Sequence, residues 1–279
     1  CTNASPVAVN DSATFTEDSI NNLLNIISND TDTDTGDTLS VSGIISTTAN
    51  GTLTLSGTTT IVYTPDADFC GVDTFTYRAR DTFGPSASNT ATGTLTVSCV
   101  NDAPVALNDL QTATGTEDTN LTIFVTANDT DIDNTITSIT GLTQPSTGGT
   151  LSITGTTNVL YVPTSNYCTS TPLTFTYRAV DASGSLSNIA TGSFVVNCTN
   201  DVPTAVNDST STNRNTNVTL TVLSNDTDLD HPNSALTVTG LTTGALGTPS
   251  IVGTGVLFVP SAGLCGTGTF TYRAEDGSG

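Results

Sequence analysis

One pentapeptide, Phe-Thr-Tyr-Arg-Ala, occurs three times in this chain of 279 residues. The copies begin at Phe75, Phe175 and Phe270, which places them 100 and then 95 residues apart. Such a period is that of whole domains in series, because the repeats of solenoid proteins are much shorter. We therefore predict three tandem domains, at residues 1–99, 100–198 and 199–279.

Each repeat has the composition and spacing of an all-β domain. Thr, Val, Ile, Ser, Asn and Gly dominate, and short alternating runs are separated by turn residues. Seven short strands in about 100 residues indicate an antiparallel, immunoglobulin-like sandwich. The fold prediction is a linear array of three seven-strand sandwiches, the third lacking its last strand. In the second repeat the predicted strands are 105–113, 120–127, 136–142, 149–154, 159–162, 173–180 and 190–197.

The aromatic residues of the repeated pentapeptide are predicted to be core. Phe75 and Tyr77 are two residues apart, so a strand turns both to the same face. Aromatic pairs in strands usually serve packing, and this interpretation is preferred here to a ligand-binding platform.

The cysteines recur in register with the pentapeptide. Cys70 precedes the sixth predicted strand and Cys99 closes the seventh, and Cys168 and Cys198 stand in the same places. We predict a disulfide within each pair, contributing roughly 3–4 kcal/mol through chain entropy, and hence an oxidising extracellular setting. The partner of Cys265 is expected beyond Gly279, either in a continuing chain or in another chain. A specific form of the second alternative pairs Cys265 with Cys1 of an adjoining copy.

The charge of the chain limits its partners. There are 26 acidic residues against five basic ones, for a net charge of −21. Nucleic acid is excluded as a partner because nothing in the chain can neutralise phosphates. No apolar run approaches membrane-spanning length, so we expect no membrane insertion.

Most of the acidic residues are aspartates in loop-like clusters. The motif Asn-Asp-Thr-Asp-x-Asp begins at Asn29, Asn128 and Asn225. Alternating aspartates in a loop offer the oxygen ligands that calcium prefers. The motif is not an EF-hand, because His231 and its equivalents replace the required sixth-position glycine.

The predicted topology collects further acidic residues around each linker. In a seven-strand sandwich, the loops after the second and sixth strands share one end with the entering chain. The loop after the first strand faces the next domain from the opposite end. The metal residues predicted at the first junction are Glu17, Asp18, Asn101, Asp102, Asp129, Asp131, Asp133 and Asp181. Those predicted at the second junction are Glu117, Asp118, Asn200, Asp201, Asp226, Asp228, Asp230 and Asp276.

Several of these segments resemble the bacterial cadherin-like tandem repeats of large surface proteins. The segments are Val-Asn-Asp-Ala-Pro-Val-Ala (100–106), Thr-Glu-Asp-Thr (116–119), Ala-Asn-Asp-Thr-Asp-Ile-Asp (127–133) and Tyr-Thr-Pro-Asp-Ala-Asp-Phe (63–69). The resemblance covers all three repeats. It implies immunoglobulin-like domains in series, calcium at the linkers, and a role in adhesion, biofilm or surface fibres.

Two departures from the repeat pattern remove predicted calcium ligands at the outer ends of the three-repeat block. Arg214-Asn215 replaces the Glu-Asp pair in the third repeat, and Ala4 stands where Asp102 and Asp201 stand in the other linkers. We infer a three-domain block with two calcium-stiffened internal junctions and a differently built end.

An enzyme is not expected from this sequence. The single histidine, His231, precedes Pro232 in a polar loop, which is typical of a turn residue rather than a general base. The leading hypothesis is a structural or adhesive segment of an extracellular fibre or cell-surface protein. The expected partners are flanking repeats, copies of itself, or a ligand on a host or neighbouring cell. The alternative is an adhesin module that binds a carbohydrate or protein ligand.

Overall fold

The computed structural model describes residues 3–83 and 87–278, except for the side chain of Thr112. Within these residues the fold is nearly all β, and a three-residue 3-10 turn, Asn233–Ala235, is the one helical segment. The same part of the chain contains no helix long and apolar enough to cross a membrane. Cys1 lies outside the described residues, and its proposed pairing with Cys265 stays a prediction.

The first repeat forms two sheets. A four-stranded sheet has the order β1-β7-β6-β3, and a three-stranded sheet has the order β2-β5-β4. Their aromatic and aliphatic side chains form one core, in which Tyr63, Phe75 and Tyr77 are fully buried. The strands are β1 (Asp11–Thr16), β2 (Asn22–Asn25), β3 (Ser40–Ser46), β4 (Gly51–Ser56), β5 (Thr60–Pro65), β6 (Gly71–Arg80) and β7 (Ala91–Ser98).

The second repeat has the same arrangement, with sheets β10-β13-β14-β8 and β11-β12-β9. The predicted strands 149–154 and 190–197 are confirmed at their bounds, whereas the predicted strand 105–113 is displaced by a few residues. The strands are β8 (Asp109–Thr116), β9 (Leu121–Phe124), β10 (Ile136–Thr140), β11 (Gly149–Thr154), β12 (Asn158–Pro163), β13 (Thr169–Asp181) and β14 (Ala190–Asn197).

One edge of each four-stranded sheet is parallel. Strand β1 pairs in parallel with β7, and β8 pairs in parallel with β14. The prediction of wholly antiparallel sheets is wrong at this edge. The parallel pairing follows from a tandem chain, because the strand that enters a sandwich and the strand that leaves it then run in one direction.

The third repeat has a smaller set of strands around its core of Val222, Leu236 and Val256. Between residues 200 and 278 no strand takes the place of β1 or β7. In the first repeat β1 is an edge strand that pairs with β7. A strand at the β1 position therefore needs a strand at the β7 position to pair with. The strands are β15 (Val218–Leu220), β16 (Thr237–Thr239), β17 (Gly247–Val252), β18 (Gly255–Pro260) and β19 (Arg273–Glu275), in sheets β15-β18-β17 and β16-β19.

Contacts divide the chain into two compact units. The first unit comprises Cys1–Val105 together with two loops of the second repeat, Asp129–Ser138 and Ala179–Asn188. The second comprises Ala106–Asn128, Ile139–Arg178 and Ile189–Gly279. The first unit therefore holds the acidic loops that precede and follow residues 100–105, and the second unit holds those around residues 199–204.

The predicted disulfides within the first two repeats are confirmed. Cys70 bonds to Cys99 and Cys168 bonds to Cys198, each with 4.9 Å between the Cα atoms. Cys265 is a free and exposed thiol.

Candidate metal centres

In the first unit, three aspartates from three separate segments converge. Asp18 follows β1, Asp68 lies in the turn between β5 and β6, and Asp102 lies after β7. A carboxylate oxygen from each lies within 4.8 Å of the other two. Asp18 and Asp68 both adopt positive φ angles, of 57° and 59°, and Oδ1 of Asp18 accepts the backbone N–H of Asp68 at 3.4 Å. We name Asp18, Asp68 and Asp102 the first carboxylate cluster.

Hydrogen bonds fix the segment that carries Asp102. Glu17 is buried and accepts the backbone N–H of Val100. The amide nitrogen of Asn101 donates to Oδ2 of Asp181 at 2.7 Å and to Ser185 Oγ at 2.9 Å. Of the predicted ligands, Glu17 and Asn101 therefore position the backbone beside the cluster, and Asp181 holds Asn101.

The loop after β9 adds two carboxylates to this region. Oδ2 of Asp133 accepts the backbone N–H of Asp102 at 3.4 Å. Oδ1 of Asp131 accepts the N–H groups of Asp133 and Asn134 at 3.2 and 2.6 Å. Oδ2 of Asp131 is buried and has no hydrogen-bond partner among the described residues. A buried carboxylate oxygen of this kind is costly unless something else binds it.

The electrostatics of the first cluster are unfavourable without a cation. Partial burial, together with the charges of Asp18 and Asp68, raises the pKa of Asp102 above its ordinary value. Asp181 differs: burial would raise its pKa, but hydrogen bonds from Asn101 and from the backbone of residues 183–185 outweigh burial and lower it. The cluster is therefore a site of mutual carboxylate repulsion, whereas Asp181 is stabilised in its charged form.

The second unit contains a second carboxylate cluster, formed by Glu117, Asp201 and Asp230. Their oxygens also lie within 4.8 Å of one another. Glu117 is buried and accepts the N–H and the hydroxyl of Thr199, and Oδ2 of Asp230 accepts the N–H of Asp201 at 2.6 Å. Asn200 donates to Asp276 at 2.8 Å, as Asn101 does to Asp181. Partial burial and the charge of Asp230 raise the pKa of Asp201.

The two clusters use different positions of the repeat, and among their members only Asp102 and Asp201 correspond. Oδ1 of Asp118 accepts the backbone N–H of Asn166 at 2.9 Å, so Asn166 occupies the place of Asp68. In the third repeat Asn215 makes the same bond to Gly263. The turn geometry is therefore common to all three repeats, whereas the carboxylate of Asp68 is present once.

The first aspartate of each Asp-x-Asp-x-Asp motif has another environment. Asp226 is fully buried, and its Oδ1 accepts the N–H of Val206 at 2.7 Å and the hydroxyl of Tyr272 at 3.1 Å. Asp30 makes the same bonds to Val9 and Tyr77. Asp129, at the same position of the second repeat, is half-buried. Asp30 and Asp226 therefore both face the core of their domain.

The predicted metal residues omit five members of such clusters, which are Asp32, Asp37, Asp68, Asp81 and His231. Asp68 lies in the quoted segment 63–69, but recurrence could not find it because Asn166 and Gly263 stand at its equivalents. Asp37 joins Asp32 and Asp81 in a cluster with ligand atoms within 4.8 Å of one another. His231 joins Asp228 and Asp230 in a further cluster of the same kind. No repeated motif contains Asp37 or His231, so the periodic pattern carried no signal for them.

Comparison with known proteins gives two families. The profile of the bacterial Ig domain matches residues 3–98 and 200–279, and that of the bacterial cadherin-like domain matches residues 101–198. Domains of both families are extracellular and serve adhesion or structure, and cadherin-like domains typically bind calcium. No curated protein sequence matches the chain.

Solved cadherin structures have a similar fold. The extracellular domain of protocadherin gamma B4 is 16% identical with a TM-score of 0.56, over 98% of this chain and 49% of that one. The extracellular cadherin domains 1–5 of protocadherin gamma B2 are 12% identical with a TM-score of 0.53, over 98% of this chain and 60% of that one. This chain thus spans about half of the first structure's length.

The all-β repeats thus agree with these profiles. Since the bacterial Ig profile alone matches more than half of the residues, the chain belongs to the bacterial Ig domain family, and residues 101–198 match the cadherin-like profile.

Proposed function

We propose that this chain is a structural or adhesive segment of an extracellular protein, in which calcium binds the carboxylate clusters and immobilises the linkers. The observation that carries the proposal is the first carboxylate cluster. Asp18, Asp68 and Asp102 come from a loop, a turn and a linker, yet their oxygens lie within 4.8 Å of one another. A divalent cation at this point would join all three segments.

The ligand atoms in the two carboxylate clusters fit calcium. Both carboxylate clusters offer oxygen atoms alone, which is the ligand set that a hard cation prefers. Asp131 and Asp201 each keep a buried oxygen without a hydrogen-bond partner among the described residues. A bound cation would satisfy such atoms and remove the repulsion between the carboxylates.

The predicted ligands, to which Asp68 is added, divide into calcium ligands and positioning residues in this proposal. Asp18, Asp68, Asp102, Asp131 and Asp133 would hold calcium in the first unit. Glu117, Asp118, Asp201, Asp228 and Asp230 would do so in the second. Asp129, Asp181, Asp226 and Asp276 would position the loops, with Glu17, Asn101 and Asn200 orienting the linkers.

Immobilised linkers suit a fibre or stalk. Cadherin-like domains generally contact neighbouring repeats or copies of themselves. We therefore propose flanking repeats, further copies, or a ligand on a neighbouring cell as partners, and we propose no catalytic activity.

A calcium titration tests the proposal. The protein should melt several degrees higher with calcium than with a chelator, with an affinity of roughly 10⁻⁴–10⁻³ M, as at other extracellular sites. Amide hydrogen exchange at residues 99–105 and 198–204 should slow when calcium is added. Unchanged melting together with unchanged exchange in both linkers would contradict calcium binding.

A matched pair of variants locates the ion. Asp102→Asn should weaken calcium binding in the first unit by at least about tenfold, as expected for loss of a ligand. Asp66→Asn removes an exposed carboxylate from the same turn as Asp68 but outside the cluster, and calcium binding should be unchanged. Equal effects of the two substitutions would indicate a loss of general negative charge rather than a ligand.

The alternative, a ligand-binding adhesin module, has one supporting observation. Phe83 lies in the loop after β6 and is 75% exposed. Scattered exposed aromatic residues, such as Phe83 and Phe124, are common on protein surfaces. The first carboxylate cluster therefore weighs more heavily, and Phe83→Ala with a glycan-binding screen would test the alternative.

A further inference from the structure

The single histidine of the chain lies against a buried carboxylate. Nδ1 of His231 is 3.3 Å from Oδ1 of Asp228, and the Asp228 side chain is 0% exposed. Oδ1 of Asp228 already accepts the N–H groups of Asp230 and His231, at 2.9 and 2.7 Å. Both Oδ2 of Asp228 and Nδ1 of His231 are buried without a hydrogen-bond partner among the described residues. Two adjacent polar atoms are thus left unsatisfied, a costly arrangement without a ligand.

The ligand atoms of this loop suit a small divalent cation with nitrogen affinity. Zinc binds His nitrogen and carboxylate oxygen at about 2.0 Å, and Nδ1 of His231 lies 3.3 Å from Oδ1 of the same Asp228 carboxylate whose Oδ2 has no hydrogen-bond partner among the described residues. Asp230 supplies a further oxygen within 4.8 Å of the other two ligand atoms. Imidazole is a ligand typical of zinc, copper, iron and nickel, whereas calcium takes oxygen ligands.

The second repeat provides a natural comparison. Asn134 stands at the position of His231, and its backbone N–H makes the same bond to Asp131 at 2.6 Å. Its side-chain nitrogen donates to Asn101 and to Ser183, so it does not face the loop as a ligand. The loop backbone is therefore shared by both repeats, and the imidazole is the feature added in the third.

We propose that Asp228, Asp230 and His231 form a separate site for a divalent transition-metal ion, for which zinc is the probe. Asp230 belongs also to the second carboxylate cluster with Glu117 and Asp201. The inference therefore deepens the proposed function at that cluster, and rests on it only through Asp228 and Asp230, which the calcium proposal also uses. A transition-metal ion here would sit beside a calcium ion, and the two sites would be coupled through these two carboxylates.

NMR gives a direct test, because one imidazole is present in the whole chain. Zinc added to the full chain in saturating calcium should shift the imidazole ¹⁵N resonances of His231. His231→Asn installs the residue of the second repeat and should weaken zinc binding at this site at least tenfold in calorimetry. Asn134→Ala, the matched control, should leave zinc binding unchanged.

Two outcomes overturn the inference. Imidazole resonances that stay unchanged as zinc is added would do so, as would zinc binding by His231→Asn equal to that of the parent. The comparison of parent and variant also separates this site from the Cys265 thiol, which both proteins keep. If the calcium titration fails while zinc still shifts the His231 resonances, the calcium proposal fails and the zinc site stands. If calcium binds normally and zinc leaves the His231 resonances unchanged, the zinc site fails and the calcium proposal stands.

Discussion

At the scale of single residues, the tyrosine of the repeated pentapeptide has a polar role that sequence reasoning did not assign. Tyr77 is fully buried, as predicted from alternation, but its hydroxyl donates towards Oδ2 of Asp11 at 2.8 Å. Tyr177 and Tyr272 reach Asp109 and Asp208 in the same way, at 2.9 and 3.0 Å. Burial raises the pKa of both Asp11 and Tyr77. Each tyrosine therefore anchors the start of its domain to the sixth strand or its equivalent.

Removing this hydroxyl should destabilise the first domain. Tyr77→Phe removes a hydroxyl donor from the buried carboxylate of Asp11, at a cost of about 1–3 kcal/mol. Urea unfolding in the presence of calcium measures the change. Tyr167→Phe is the control, because its hydroxyl contacts only an exposed threonine, Thr147, in the described structure, and it should cost less than about 1 kcal/mol. Similar losses of unfolding free energy in the two variants would show that the Tyr77 hydroxyl does not specifically stabilise the domain.

At the scale of strands, the pairing of β6 with β7 depends on a glycine. Phe75 stands opposite Gly93, and Phe175 stands opposite Gly192. A Cβ atom at Gly93 would lie 2.2 Å from the Phe75 ring. The segment Ala-Thr-Gly at 91–93 and 190–192 thus recurs because the facing aromatic ring leaves no room for a side chain.

A methyl group at Gly93 should be poorly tolerated. Gly93→Ala forces the Phe75 ring out of its place, and we expect this overpacking to cost about 1–3 kcal/mol of unfolding free energy. Gly43→Ala in β3 is the matched control, because a Cβ there meets nothing within 4 Å. Differential scanning calorimetry should show a lower melting temperature for the first variant alone. Two equal melting temperatures would count against close packing of Phe75 on Gly93.

The strand predictions succeeded where hydrophobic alternation and turns both marked a segment. Strands β11 and β14 fall on their predicted bounds because glycine or polar turns flank them. The predicted strand 105–113 failed at its start because Val105 pairs with Thr130 as an isolated bridge, and strand β8 begins later, at Asp109. Such a boundary depends on which neighbour is available, and local sequence does not encode that neighbour.

At the scale of the whole molecule, disulfides stabilise the first two repeats. Each bond joins the segment before the sixth strand to the end of the seventh, across 29 or 30 residues. Cross-links of that span restrict the unfolded chain, and the rest of each domain offers a small core. Within the described residues of the third repeat, Cys265 is an exposed thiol.

Replacing Cys70 and Cys99 together by alanine should lower the unfolding free energy of the first repeat by roughly 3–4 kcal/mol. Thermal unfolding under non-reducing conditions measures the loss. Cys265→Ser is the control and should leave the melting profile unchanged. A double variant that melts like the parent would show that the bond between Cys70 and Cys99 is not a stabilising cross-link.

The sequence by itself determined the all-β class, the tandem repeats and the two disulfide pairs, because a chain that repeats its landmarks in register must repeat its fold. It also identified the acidic loops, since alternating aspartates are visible locally. Tertiary structure decided which oxygens meet. It brought Asp68 to Asp18 and Asp102, turned Asp226 to a tyrosine, and set His231 against Asp228. These outcomes depend on contacts between residues distant in sequence, or on the direction in which a side chain leaves its loop, and a linear pattern specifies neither.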